Sequence, residues 1–485
     1  MKPKHAIKPL LISGFFLLFS GISIADTKGQ SDEFWREWSA ILYFIDGEFK
    51  INNPRFLLSY EDPSPASELQ MYLRYLKQNE RVCKYPARYQ ILVKYNLALP
   101  SLPICEELGE YEAKAPTDEF KYIYASESLS SIAGMMGHGF IMGEGKNNQG
   151  EMIQHSFSFY TDLRTANQFT LALDAFVFGM DGIFALRPYS RDLQRYLNAE
   201  ERDIWELTLK LNSYQTLLLR NALWELKDVR PQYLFQSFNC ATLTLYTLSI
   251  IEPRILDYEI LFVTPLDIFK GLLKTEMVRK TVVKTPQRIM PSNPANKLQD
   301  SIFSLSVNKN GLNLSFVPAS HYMRTVKNNT SSELLIGAFE LNLPEKQIEN
   351  ITLYNLTSLN DQDNAFSKSI DISWERGEIG SSWNMSYNIG YTYNLQGVRF
   401  SVLPGISYST HNSKINFNNK VFISKLLFSD IKMVYSLESQ SYQDDSSSKT
   451  QSFTVSKRLN DSIVYLKLEE DGGSKIFEVG YDYHF

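Results

Sequence analysis

Thiol chemistry in this chain must be built from 3 Cys and 6 His in 485 residues. Cys83 and Cys105 flank Tyr85-Pro86-Ala87-Arg88-Tyr89 and a segment holding Pro100 and Pro103. In an oxidising compartment these two are expected to pair, closing a loop worth about 3 kcal/mol by chain entropy. The other reading is two buried free thiols. Cys240 is then the odd thiol, which in an exported protein is partnered elsewhere, buried or chemically used. It follows Asn239 and opens an apolar run through Ile250 that Pro253 stops. A thiol at a helix N-terminus meets the positive end of the dipole, which predicts a lowered pKa. Backbone N–H groups there can also hold a developing oxyanion. A thiol nucleophile needs an imidazole within hydrogen-bond reach. His5 lies in the leader-like N-terminus, and His321, His411 and His484 lie in the strand-rich C-terminal half. That leaves His138, between Gly137 and Gly139, and His155, between Gln154 and Ser156. Against catalysis stands the plain alternative of a buried thiol at a helix start and a satisfied core histidine.

The elements that would position these groups lie between about Lys121 and Lys280. Tyr122-Ile123-Tyr124-Ala125 and Gly139-Phe140-Ile141-Met142 read as strands. Asn198 followed by Glu201 predicts a capped helix carrying Ile204, Trp205, Leu207, Leu209 and Leu211. A further helix is expected from Tyr214 to about Leu226, a strand from Gln232 to Phe238, and helices opening at Cys240 and at Thr264-Pro265. Upstream, residues 26–116 read as a helical extension. Phe34, Trp35, Trp38, Ile41 and Leu42 recur at helix spacing, and Ser64-Pro65-Ala66-Ser67-Glu68 is a helix start whose helix turns Leu69, Tyr72, Leu73 and Leu76 inward.

Composition bounds the partners. The net charge is -5 with no basic run, which argues against nucleic acid. No metal-ligand spacing, phosphate loop or dinucleotide fingerprint occurs, so neither metal nor cofactor is expected. Lys2, Lys4 and Lys8 precede an apolar run from Leu10 to Ile22 and a Ser23-Ile24-Ala25 end, the pattern of a signal peptide over residues 1–25. The run is short for a membrane-spanning helix. Export follows.

Residues 283–300, with Pro286, Pro291 and Pro294 among Ser, Asn, Lys and Gln, have linker composition. From 301 to 485 the period changes to two. Trp383, Met385, Tyr387, Ile389, Tyr391, Tyr393 and Leu395 alternate with polar residues, and Lys309-Asn310-Gly311 joins two alternating runs as a hairpin turn. A soluble sandwich also alternates. Candidate strands of about 9–12 residues, aromatic apolar faces, polar tips such as Asp444-Asp445-Ser446-Ser447-Ser448 and an aromatic C-terminal strand ending on Phe485 favour an antiparallel outer-membrane barrel of ten to twelve strands. Closure satisfies every backbone group in lipid.

The motifs Ser128-Leu129-Ser130-Ser131, Gly137-His138-Gly139-Phe140-Ile141, Phe178-Gly179-Met180-Asp181-Gly182, Glu201-Arg202-Asp203-Ile204-Trp205-Glu206 and Phe238-Asn239-Cys240 resemble the Lnb-type periplasmic domain family, formerly a domain of unknown function. The resemblance spans about Lys121 to Ile255. Its characterised member is a bacterial lipoprotein N-acyltransferase, and the order His…Asn-Cys also resembles circularly permuted papain-like enzymes such as lecithin:retinol acyltransferase. The resemblance implies Cys240 as nucleophile, His138 as its base and His155 as a third group orienting His138.

The expected fold is α+β: a permuted papain-like thiol domain (117–282) behind a helical extension, then an all-β antiparallel barrel (301–485). The expected function is a periplasmic, cysteine-dependent acyltransferase. It would act on phospholipid or lipoprotein acyl groups through an acyl-thioester, tethered to outer-membrane lipid. A thiol hydrolase with the same dyad and a non-catalytic barrel with a periplasmic binding domain are the rivals.

Overall fold

A computed structural model describes residues 30–76, 79–97, 105–127, 136–161, 178–234, 237–259, 262–286, 294, 297–326, 332–359, 366–377, 380–411, 413–441 and 447–485. The signal-peptide segment 1–25, the Ser128–Ser131 motif and the tip residues 444–446 lie outside them.

Five helices come first: α1 (Asp32–Ile41), α2 (Pro65–Tyr75), α3 (Asn79–Lys84), α4 (Pro86–Lys94) and α5 (Glu106–Lys114), with a small hairpin of β1 (Phe44–Ile45) and β2 (Glu48–Phe49). Ser31 and Ser64 cap α1 and α2, accepting hydrogen bonds from Phe34 N and Ser67 N. Cys83 and Cys105 form a disulfide with a Cα–Cα separation of 5.4 Å. Glu68, beside the α2 cap, faces inward instead. Its carboxylate accepts from Leu58 N and Ser59 N and pairs with Arg88, which also reaches Glu225 Oε2 at 3.2 Å. All three side chains are buried.

The middle of the chain forms an antiparallel sheet of seven strands: β3 (Glu119–Ala125), β4 (His138–Lys146), β5 (Met152–Thr161), β6 (Met180–Pro188), β7 (Ile204–Leu209), β8 (Gln232–Tyr233) and β9 (Val278–Lys284). Their spatial order is β8-β6-β5-β4-β3-β7-β9. Helices α7 (Ser213–Glu225), α8 (Cys240–Ser249) and α9 (Pro265–Lys274) share one apolar core with the N-terminal helices and one sheet face. The opposite face is covered by α6 (Tyr189–Gln194) and a following π-turn, which bury Ile123, Ala125, Phe140, Met142 and Ile204.

Two stretches differ from what the sequence predicts. Ile204, Trp205, Leu207 and Leu209 lie on strand β7, not on a helix, and Asn198 sits in the π-turn before it. All six residues of β7 are buried, because the strand is flanked by β3 and β9 and covered on both faces. A strand buried on both sides carries a continuous apolar run that periodicity does not separate from a helix. The strand expected from Gln232 to Phe238 is only Gln232–Tyr233; Leu234 and Phe238 then bridge a tight turn into α8.

The C-terminal strands are β10 (Ile302–Asn308), β11 (Gly311–Val317), β12 (Ala319–His321), β13 (Ser332–Asn342), β14 (Gln347–Ser358), β15 (Ser367–Gly377), β16 (Gly380–Leu395), β17 (Val398–Ser409), β18 (Lys414–Phe428), β19 (Ile431–Ser441), β20 (Ser447–Leu459), β21 (Ser462–Asp471) and β22 (Ser474–His484). β11 and β12 pair with β13 in one register, Phe316 with Phe339 and Ala319 with Ile336, across Pro318, which has no N–H to give. They are one wall strand. Twelve wall strands thus run as a meander, closed by β10 against β22 with Ile302 opposite His484. The even number brings both barrel ends to one rim, where Phe485 N donates to Ser301 O at 3.1 Å.

The wall is inside-out relative to a soluble protein. Tyr387, Tyr391, Tyr393, Phe417, Phe477 and Tyr483 point outward and are exposed, while Asn388, Ser401, Asn418, Lys432 and Asp482 are buried within. That pattern suits lipid outside and polar groups inside. At the rim nearest the sheet domain the lumen is filled by the segment 322–326. Arg324 Nε and Nη2 donate to Asp482 at 2.8 and 3.0 Å, its guanidinium lies between the Tyr322 and Tyr465 rings, and Met323 packs on Leu359, Leu403 and Val434.

Candidate active site

Asn239 caps α8 with its side chain, accepting from Ala241 N at 2.7 Å and Thr242 N at 3.0 Å, so Cys240 is the first residue of the helix. The helix start enters a gap in the sheet. β5 stays paired with β4 only as far as Phe157 opposite Ile141, leaving the first residues of β4 with an open edge. There the Cys240 sulfur faces the amides of Gly139, Ala241 and Cys240 itself. Two glycines shape the approach. Gly137 has φ +79°, and a Cβ on Gly139 would stand 2.4 Å from the Tyr122 hydroxyl, which donates to Pro265 O at 2.7 Å.

Cys240 and His138 line one cavity of about 200 Å³, together with Met136, Phe159, Tyr233 and Phe262. They reach it from different sides. His138 is opposite Ala125 in the β3–β4 ladder and two residues before Phe140, so its ring shares their face. It lies beside Phe140 and Tyr196, at ring separations of 5.7 and 6.2 Å. The thiol comes from the α8 face, around the open edge. Among the described residues no hydrogen bond joins the His138 ring to Cys240.

Both groups are neutral at rest. Burial pushes the Cys240 thiol up to about 11, even though the three amides favour the thiolate. The direction is opposite to the lowered pKa expected from the helix N-terminus, because loss of hydration outweighs the amide hydrogen bonds. Burial, reinforced by the positive charges of Arg202, Arg195 and Arg187, pulls His138 down to about 3. A neutral imidazole has a free lone pair, which is the form a general base needs.

His155 stands elsewhere. It pairs with Gly143, five residues along β4 from His138, or roughly 17 Å at about 3.3 Å per residue. Its Nε2 is 3.1 Å from Thr117 Oγ1, its ring meets Phe157 edge-on, and burial draws it down to about 4. The structure does not bring it to His138. Among the described residues none hydrogen-bonds the His138 ring, and no group of acidic, His and Cys side chains could hold a metal. His321, His411 and His484 remain in the barrel, as expected.

Three arginines were not singled out from sequence: Arg187 on β6, Arg195 in the π-turn and Arg202 before β7 all line the cavity. They lie within sixteen residues of one another on three separate elements, and only Arg202 falls in a resemblance motif, Glu201-Arg202-Asp203-Ile204-Trp205-Glu206, where its residue type alone gave it no role. Equally illegible were Met136 and Phe262. Both line the cavity, and both are buried in a cluster with Leu334, Ile336, Tyr354, Leu356 and Ile370 on the outward side of β13, β14 and β15. The cavity rim thus abuts the outer wall of the barrel at its domain end.

Residues 107–275 match the family model described as the Lnb N-terminal periplasmic domain, a span that includes Cys240, His138 and the whole cavity lining. No curated protein matches the chain. Among solved structures the chain is similar to the KdgM porin in complex with disordered oligogalacturonate, at 12% identity and TM-score 0.28, covering 38% of this chain and 98% of that one. It is similar to the NanC porin at 8% identity and TM-score 0.27, covering 38% and 100%. Omp33 of Acinetobacter baumannii is similar at 8% identity and TM-score 0.24, covering 38% and 96%. Among the described residues no helix is long and apolar enough to cross a membrane. A periplasmic domain joined to a closed barrel with an apolar outer wall belongs in the outer membrane, the barrel spanning it and the sheet domain on the periplasmic side.

Proposed function

With residues 107–275 carrying an Lnb N-terminal periplasmic domain and twelve wall strands forming a membrane barrel, we propose that this protein is a cysteine-dependent acyltransferase drawing on phospholipid or lipoprotein acyl esters. One observation carries the reading. The cavity holding the only free thiol among the described residues has rim residues, Met136 and Phe262, that pack on the lipid-side wall of the barrel. An ester of the adjoining leaflet is thereby held at high effective concentration beside Cys240. A helix-borne Cys240 set against a strand-borne His138 also fits the permuted papain-like arrangement.

In the first step His138 takes the thiol proton as Sγ attacks the ester carbonyl. The C–S bond forms, the ester C–O bond breaks, and the imidazolium returns the proton to the departing lysolipid alkoxide. An amine, such as a lipoprotein N-terminus, then attacks the thioester; the C–N bond forms, the C–S bond breaks, and its proton goes to the sulfur. In this reading the amides of Gly139 and Cys240, which face the sulfur at rest, would be the donors to the oxyanion of each tetrahedral intermediate. A χ1 rotation of His138, at the free end of β4, is the movement the first step requires; catalytic hydrogen bonds commonly tighten only when substrate is bound.

The test is formation of a labelled acyl-enzyme from phospholipid vesicles carrying radiolabelled acyl chains. The intact protein should retain hydroxylamine-labile label, and Cys240→Ala should retain none. Label that is absent from the intact protein, or that survives in Cys240→Ala, ends the proposal. Analysis of the released product separates amide formation from hydrolysis. The opposite-face placement of His138 favours one second reading, a periplasmic binding domain without catalysis; unlabelled intact protein is its signature.

A further inference from the structure

We propose that Arg187, Arg195 and Arg202 form an anion subsite beside Cys240 that takes the phosphate group of the substrate. This rests on the acyl-donor reading for the position of the reacting ester, and it narrows that donor to a phosphate-bearing one.

The cavity lining contains these three guanidinium groups and no carboxylate. Their acidic partners lie behind them and are too few. Glu200 Oε1 accepts from Arg195 Nε at 2.6 Å and Glu200 Oε2 makes an ion pair with Arg202 Nη2 at 2.5 Å without a hydrogen bond, and Asp192 stands 3.8 Å from Arg187 Nη2. Two carboxylates facing three cations leave one positive charge over. Arg202 is 3% exposed, and the Nε–H groups of Arg202 and Arg187 are buried without a hydrogen-bond partner. Buried donors are seldom left so, and an orphaned one at a cavity points to a ligand that supplies the acceptor. Aromatic rings wall the guanidinium planes: Tyr196 lies under Arg202 and Arg195, and Tyr160 under Arg187. Their freedom is reduced before any ligand arrives. Planar guanidinium forks match phosphate oxygens in pairs, which lysine would not do.

A glycerophospholipid joins such a phosphate to its acyl esters by a few bonds. Held by the arginines, it would present an ester carbonyl toward the thiol across the same cavity. The anion would also offset the arginines' contribution to the lowered His138 pKa, which comes first from burial.

The full-length protein in detergent tests this without requiring turnover. The rate of Cys240 alkylation by iodoacetate, an anion, is divided by the rate with neutral iodoacetamide at the same pH. The ratio in the intact protein should exceed that of a free thiol at least tenfold, and should fall at least fivefold in Arg202→Gln with partial recovery in Arg202→Lys. Should Arg202→Gln fail to fold, inorganic phosphate added to the intact protein decides: it should slow iodoacetamide alkylation, whereas chloride at equal ionic strength should not. Phosphatidylethanolamine vesicles protecting at far lower phosphate concentration than the free ion identify the lipid headgroup as the source; equal protection by both overturns the lipid assignment. An alkylation ratio like that of a free thiol, or no protection by phosphate, overturns the subsite. Absence of acyl-enzyme would end the acyltransferase reading alone, since the alkylation ratio is read independently of it.

Discussion

Gly139 and Tyr122 meet so closely that a Cβ on Gly139 would lie 2.4 Å from the tyrosine hydroxyl. That hydroxyl is itself fixed by Pro265 O at the start of α9, so the glycine lets β4 lie against the helices that carry the thiol. Gly139→Ala must therefore move the strand or the tyrosine and withdraw the amide facing Cys240. Overpacking of this kind costs about 1–3 kcal/mol. The melting temperature should fall by several degrees, and acyl-enzyme formation should fall by more than that loss of folded protein accounts for. Unchanged acylation in a folded variant would refute the role given to this amide.

The neutral resting pair has a pH signature. Iodoacetamide alkylation of Cys240 should rise about tenfold per pH unit through neutrality and level off only near 11, rather than near the free-thiol value. Lowered protonation of His138 has the opposite direction: the ring gains its proton only as pH falls toward about 3, so acylation that depends on neutral His138 should not be lost between pH 7 and 5. A midpoint near the free-thiol value of about 8.5 would refute the effect of burial, and one well below it would show an ion pair instead.

Arg88 is buried between Glu68 and Glu225 and also donates to Phe56 O at 2.8 Å, joining the N-terminal helices to α7. Removing the shared cation leaves buried carboxylates without a counterion. Arg88→Met should destabilise the fold by about 3–5 kcal/mol, measured by chemical denaturation. Replacing Arg88, Glu68 and Glu225 together by apolar residues should recover much of that loss.

The segment 322–326 packs into the lumen at the domain end of the barrel. Its pins are Arg324 on Asp482, Ser456 Oγ on Arg324 O at 2.6 Å and Lys432 Nζ on Thr325 O at 3.4 Å. In planar bilayers the intact protein should show little or no steady conductance, and Asp482→Ala should show frequent openings as the buried arginine loses its partner. A large open-channel current from the intact protein would contradict the plugged lumen.

Much of this architecture was written locally. The Asn239-Cys240 cap, the Ser64 start of α2 and the alternating Trp383–Leu395 run each carry their signal within a few residues, because caps, turns and pleats are short-range geometry. Strand β7 is not legible for the complementary reason: burial on both faces erases the alternation that marks a strand. His155 resembled a partner for His138 only by its residue type; ladder register set it five residues away along β4.

By itself the sequence determined a chain with two thiols to pair and one left at a helix start, one histidine flanked by glycines, and a membrane-type barrel behind a linker. Only the tertiary structure decided what surrounds the remaining thiol. The opening between β4 and β5, the opposite faces from which Cys240 and His138 reach one cavity, the approach of Arg187, Arg195 and Arg202 to Cys240, and the contact of the rim with the barrel wall are all long-range relationships. Each depends on which strands pair and where pairing stops, and that is settled by the packing of the whole sheet rather than by any residue's neighbours in sequence.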